Sequence, residues 1–343
     1  TIVSSGTITD TTGGAASIVL TGDASLTGAN IVLGDNSGDN ISVAGNAVLS
    51  ATSGGTIDVE ATGAVNFGTL TFVSDSTVNI IEDSSTEIVG TNSAGTLNLT
   101  SAGALIDPAT IDVTGDATFT GTSIFLAGDP ADVLNVGQNL LLIATGGGSI
   151  IVDTPGTVTL GSLTFQTDNS VSIAEDGDMQ LSGSSSAQSV TLNSSGAITD
   201  SGATLIVTGD VQLTGNGIAL TNTVNEQINV SGNVSFTSTG ADITVGATGT
   251  TNFGSMTFTT TGSVSIAEDS SSNLVGNSTG GSLTIVSSGT ITDTTGAAAS
   301  IVLTGDANLT GANIVLGDNS SDNISVAGNA VLSATSGGTI DVE

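Results

Sequence analysis

The chain has 343 residues, with 32 Asp plus Glu, 48 Gly, 3 Pro and no Lys, Arg, His, Cys, Trp or Tyr. Those absences leave no proton shuttle near neutral pH, no thiolate, disulfide or zinc–thiolate site, and no cationic side chain to grip a phosphate or an oxyanion, so no enzyme is expected. A net charge of −32 repels nucleic acid and anionic membranes alike, while 37% hydrophobic residues and a mean hydropathy of +0.35 suit a folded chain rather than an acidic tail.

Taken in chain order, the sequence repeats itself. Residues 1–60 return as 284–343 with three differences (Gly14 to Ala297, Ser25 to Asn308, Gly38 to Ser321), an offset of 283 residues. Thr-Gly-Asp recurs at 21–23, 114–116, 208–210 and 304–306. Ile-Ile-Glu-Asp at 80–83 is followed by Ile-Ala-Glu-Asp at 173–176 and 266–269. These marks divide the chain into super-repeats of roughly 94 residues, at 18–110, 111–204, 205–300 and a partial 301–343. The near-identity, and a start on Thr1 without a basic leader, lead us to expect one continuous domain over 1–343, a piece of a longer array. Apolar stretches such as 140–144 fall far short of the roughly 20 residues of a membrane helix, so no membrane insertion is expected.

Each super-repeat divides again. Strands ending at Ile2, Leu26, Leu49, Phe72, Leu99, Phe119, Leu142, Phe165, Leu192, Leu213, Phe236, Phe258, Ile285, Leu309 and Leu332 mark the turns. Most intervals are 20–24 residues, but 72–99, 165–192 and 258–285 span 27. Within each turn three short stretches alternate apolar with polar, as at 163–165, 171–173 and 180–182, the pattern of half-buried strands. β-branched residues dominate and no 3.6-residue period is sustained, which argues against helices. The expected fold is all-β: a parallel β-solenoid of about 15 turns of ~23 residues, three short strands per turn, with turns ~4.8 Å apart. Phe72, Phe119, Phe165, Phe236 and Phe258 are expected to stack in one inner column. Twelve turns would give the 283-residue unit an axial length of roughly 58 Å. Glycines such as Gly22, Gly45, Gly68 and Gly254 end the third stretch and mark corners needing positive φ or close backbone approach. The Asp or Asn that often follows is expected to bond locally to backbone.

The strings SMTFTTTGSVSIAEDS (255–270), SLTIVSSGTITDTTG (282–296) and IVLTGDANLTGANIVLGD (301–318) resemble repeats of very large bacterial surface proteins of the filamentous-haemagglutinin-like kind. The resemblance covers essentially the whole chain. It implies a right-handed parallel β-helix, secreted and displayed at the cell surface as a long extracellular fibre or stalk. The cap and secretion domains of that family are not among these residues.

The acidic residues are spaced. Glu82-Asp83, Glu175-Asp176 and Glu268-Asp269 come once per four expected turns, as do Asp10, Asp107, Asp200 and Asp293. Members of one column would then stand roughly 19 Å apart, beyond the ~8 Å Debye length of physiological salt, so a solvated, anti-aggregation surface is expected. A sharper expectation is calcium. The loops at 35–40 and 318–323 gather hard oxygen ligands around Asp35, Asp39, Asp318 and Asp322, and Asp129 with Asp132 occupies the matching place in the second unit. Ca²⁺ takes six to eight oxygens, which carboxylates and loop carbonyls can supply. The third unit offers only Asn222, Asn225 and Glu226 there. No other cofactor is required. Paired carboxylates could suggest glycoside hydrolysis, but these recur three times without a basic residue to hold a sugar, whereas a catalytic site is expected once.

Two functional classes follow. One is a structural fibre or stalk whose partner is itself, assembling end to end or laterally. The other is an adhesin or ligand-binding module contacting glycan, ice or another cell. Ice binding calls for Thr-x-Thr on successive turns, yet 69–71, 157–159 and 257–259 do not recur every turn. The Trp, Tyr and Arg of protein-binding hot spots are absent. The expected function is therefore the structural extracellular fibre, with the adhesive module as the alternative.

Overall fold

The computed structural model describes residues 1–343 apart from 11–13, 61, 108, 154, 222, 294–297 and 336. The described residues form an all-β parallel β-solenoid with turns of about 23 residues and no helix. Among them no helix is long and apolar enough to cross a membrane. The chain divides into two compact units, 1–176 and 177–343.

In the first unit the strand registers define inner columns on three faces. One column runs Ile2, Leu26, Leu49, Phe72, Asn92, Ile111, Leu134 and Val158. On the next face Leu33, Val59, Ile80, Leu99, Phe119, Leu142 and Phe165 stand above one another. The alternation read from the sequence is the alternation of burial: Thr77–Glu82 and Ser170–Glu175 hide every second side chain. Parallel pairing in register stacks like on like, so each apolar residue covers the one beneath it and most of the column is closed to solvent.

The expected single phenylalanine column divides. Phe72 stands beneath Asn92, not Leu99, while Phe119 and Phe165 share the neighbouring face. The cause is an extra strand inside the 27-residue interval. Between Phe72 and Leu99 the chain forms Thr77–Glu82, Thr86–Glu87 and Gly90–Ala94 before it reaches Thr96–Ser101. A two-residue strand such as Thr86–Glu87 carries too little alternation to be read. The 93 residues from Leu49 to Leu142 therefore make four turns and one further face.

The second unit behaves in the same way. Leu192, Leu213, Phe236, Phe258, Ser278, Ile301 and Ile324 form one column, and Leu220, Val245, Ile266, Ile285, Leu309 and Leu332 another. Phe258 meets Ser278 rather than Ile285, with Ser272–Asn273 as the short extra strand. At four turns and one face per super-repeat, three super-repeats amount to thirteen turns rather than the expected twelve.

The corners are set by close approach more than by positive φ. A Cβ on Gly68 would lie 2.2 Å from the carbonyl oxygen of Ala44, and one on Gly254 would lie 2.1 Å from that of Ser231. The Asp and Asn after Gly22, Gly45, Gly209 and Gly232 bond between turns, not locally as expected. Asp23 Oδ1 accepts the Asn46 N–H (2.9 Å), and Asn46 Oδ1 in turn accepts the Thr69 hydroxyl (3.1 Å). Asp210 and Asn233 repeat the arrangement with Ser255 (2.8 and 3.0 Å). A corner amide stands opposite the turn below, so the nearest free acceptor is there.

Phe236, fully buried in its column, meets Phe253 edge-on at 5.7 Å between centroids. Phe236→Ala should lower unfolding stability by about 3–5 kcal/mol, read from urea midpoints. Gly254→Ala should cost about 1–3 kcal/mol by overpacking the corner, whereas alanine at the open Gly22 should be within about 0.5 kcal/mol of wild type.

Candidate functional site

The carboxylates gather in two recurring constellations; in the first, the Asp of each Glu-Asp pair is exposed as expected, but the Glu is buried rather than solvated. Glu82, Glu175 and Glu268 are each under 5% exposed. Where the short extra strand fails to cover the strand below it, these side chains supply the missing acceptors. The Phe67 N–H donates to Glu82 Oε1 (2.9 Å) and the Val65 N–H to Asp83 Oδ2 (2.8 Å), while the Asp83 N–H returns a bond to the Val65 carbonyl (2.8 Å). Thr86 and Ser84 hydroxyls complete Glu82 (2.7 and 2.9 Å). Glu268 and Asp269 reproduce this with Phe253, Thr251, Ser272 and Ser270. Leu160 and Val158 donate likewise to Glu175 and Asp176. Burial pushes Glu82 and Glu268 above the usual carboxylate range, against the pull of these hydrogen bonds. The pair is thus a structural splice in the ladder, periodic because the extra strand is periodic.

The second constellation sits where one turn ends in Asp and the next makes a loop. Asp39 closes its loop by accepting the Asn36 N–H (2.8 Å) and reaches down to the Ala16 N–H (2.7 Å). Gly34, at φ +71°, donates to Asp10 Oδ2 (2.7 Å). Asp322 does the same with Asn319 and Ala299 (both 2.8 Å), and Gly317, at φ +77°, donates to Asp293 Oδ2 (2.8 Å). Carboxylate oxygens of Asp10, Asp35 and Asp39 lie within 4.8 Å of one another, as do those of Asp293, Asp318 and Asp322. The sequence pointed to Asp35, Asp39, Asp318 and Asp322. It did not join Asp10 and Asp293 to them, although their offsets of 25 and 29 residues, about one turn, were the available signal.

The two middle copies differ. Asp129 and Asp132 form the same loop, with the Asp129 N–H on Asp132 Oδ2 (2.8 Å), but Asp107 does not close into a trio of the same spacing. Asp107 is buried beside Asp132 and faces the N–H groups of Ala109 and Ala127 without a hydrogen bond of normal geometry. Burial, reinforced by Asp132, pushes it up to about 8. In the third copy Glu226 takes the Gly202 and Thr223 N–H groups (2.8 and 2.7 Å), and Asp200 accepts from Thr221 (2.9 Å). Burial raises Asp200 to about 6. Asn225 adopts φ +79° in that loop, and Asn222 lies outside the described residues.

No family model, curated protein or solved structure matches the chain. The likeness to filamentous-haemagglutinin-like repeats therefore rests on the repeat strings alone.

Two outcomes follow from this geometry. Glu82→Ala should leave the Phe67 amide and the Thr86 hydroxyl without acceptors and cost about 2–4 kcal/mol; Glu82→Gln, which keeps an acceptor oxygen, should cost less. Faster hydrogen exchange at Phe67 in the alanine variant would localise the effect. Asp107 and Asp200 stay protonated in the fold after they ionise in the unfolded chain, so the fold binds more protons and loses stability as pH rises from about 4, through about 6 for Asp200, to about 8 for Asp107. With divalent ions removed, Asp107→Asn should flatten the decline between pH 6 and 8 and raise stability at pH 8 by on the order of 3–5 kcal/mol. A urea midpoint measured across that range checks the sign.

Proposed function

We propose that the chain is a structural element of an extracellular fibre or stalk, whose work is length, stiffness and durability. The observation that carries this reading is repetition without a unique site. Each carboxylate constellation recurs at fixed intervals, and the Glu-Asp pairs are consumed in holding the ladder together. Stacked inner columns of buried apolar side chains favour the same reading, because each added turn lengthens the solenoid without a new core. So does a chain with no Lys or Arg, which offers no site to trypsin-like proteases.

Self-association is part of the proposal. In the isolated 343 residues Ile2 is 54% exposed, and Leu303, Leu309, Val326 and Leu332 line an open apolar hollow. Unpaired strands over an apolar column invite stacking of a further turn.

Cryo-electron microscopy of the native assembly tests the reading. A continuous filament with ~4.8 Å layers and a super-repeat of ~62 Å, thirteen layers, is the expected result. Discrete short rods carrying ordered non-protein density on one face would favour the adhesive alternative and sink the fibre. In solution, the isolated 343 residues should sediment as concentration-dependent rods, and Leu332→Glu with Val326→Glu should reduce that association at least severalfold.

A further inference from the structure

We propose that Asp10, Asp35 and Asp39, and again Asp293, Asp318 and Asp322, each bind one divalent cation of calcium size that clips one turn to the next. Three carboxylates converge at each place, with oxygens within 4.8 Å of one another. Independently, Asp293 is 0% exposed and its Oδ1 has no hydrogen-bond partner, although Oδ2 takes the Gly317 N–H. A buried carboxylate oxygen facing two more carboxylates needs positive charge. The chain holds no Lys, Arg or His, so only a proton or an ion from solution can provide it.

Size selects among ions. Oxygens that share a Ca²⁺ at about 2.4 Å can stand up to about 4.8 Å apart, whereas those sharing Mg²⁺ at about 2.1 Å must close to about 4.2 Å. The trios lie within the first limit, and Mg²⁺ is disfavoured further because it demands near-ideal octahedral geometry and gives up its water reluctantly. Loop carbonyls and water would complete the six to eight oxygens Ca²⁺ takes. The third copy shows the contrast: Glu226 and Asp200 make only a pair, and backbone N–H groups already occupy both. It is not assigned a cation. Because Asp10 and Asp293 belong to one turn and their partners to the next, the ion would act as an inter-turn clip.

The test uses the 343-residue chain stripped with EDTA and titrated with CaCl₂ by calorimetry in about 0.15 M NaCl. The expected result is saturable binding of two ions per chain, with affinity in the ~10⁻⁴–10⁻³ M range of extracellular calcium modules, and a urea midpoint that rises with calcium. D293N should bind one ion, and D10N/D293N should bind none and lose the midpoint shift. D35N/D318N alters only exposed side chains, so its packing is preserved, and it should weaken binding at least tenfold. MgCl₂ at equal concentration should give little shift. No saturable binding up to about 10 mM calcium would overturn the proposal, as would wild-type binding by both double variants. So would equal shifts from magnesium and calcium that vanish in about 0.5 M NaCl, which would mark diffuse counterions around an acidic rod.

Discussion

The interaction on which this structure depends is the parallel hydrogen bond between turns. Every strand N–H must find an acceptor one layer along, ~4.8 Å away, because a buried amide without one costs as much as several good contacts supply. Where the next turn offers a full strand, its carbonyls serve. Where it offers only the two residues Thr86–Glu87, the carboxylates of Glu82 and Asp83 stand in for the missing backbone. Where the chain bends, Asp23 or Asp210 accepts the amide of the following corner. Much of the acidic composition is thus a supply of acceptors.

That use of carboxylates carries a cost, because an acceptor that is also a charge resists burial. Hydroxyls from Thr86, Ser84, Ser272 and Ser270 offset it at the Glu-Asp splices, where one carboxylate at a time is enclosed. At the loop corners two or three acids meet, and backbone amides alone must answer them. In the middle copies burial raises the pKa of Asp107 and, less far, of Asp200, and peptide N–H groups fill the site around Glu226. The first and last copies, near-identical in sequence, keep the full trio.

The one-face advance per super-repeat changes how the surface is read. Equivalent residues in successive super-repeats, such as Leu49 and Leu142, belong to the inner columns of neighbouring faces. A residue that recurs every 94 positions therefore builds no straight stripe.

Sequence alone determined the strands and their stacking. Alternation at 163–165 or 211–213 can be satisfied only by half-buried strands, and a period near 23 residues without helical spacing leaves a solenoid as the way to bury every apolar side. It also located four of the six trio acids, because Asp35, Asp39, Asp318 and Asp322 sit together in the chain. Tertiary structure decided the rest. Asp10 and Asp293 join their partners only across a turn, and Glu82 is buried only because a strand beneath it needs an acceptor. The face count turned on Thr86–Glu87, a strand too short to leave a pattern and made a strand by its pairing with Leu105 and Ile106. Local periodicity encodes which side of a strand is apolar; which strand lies above which is fixed by hydrogen bonds between residues about a turn apart.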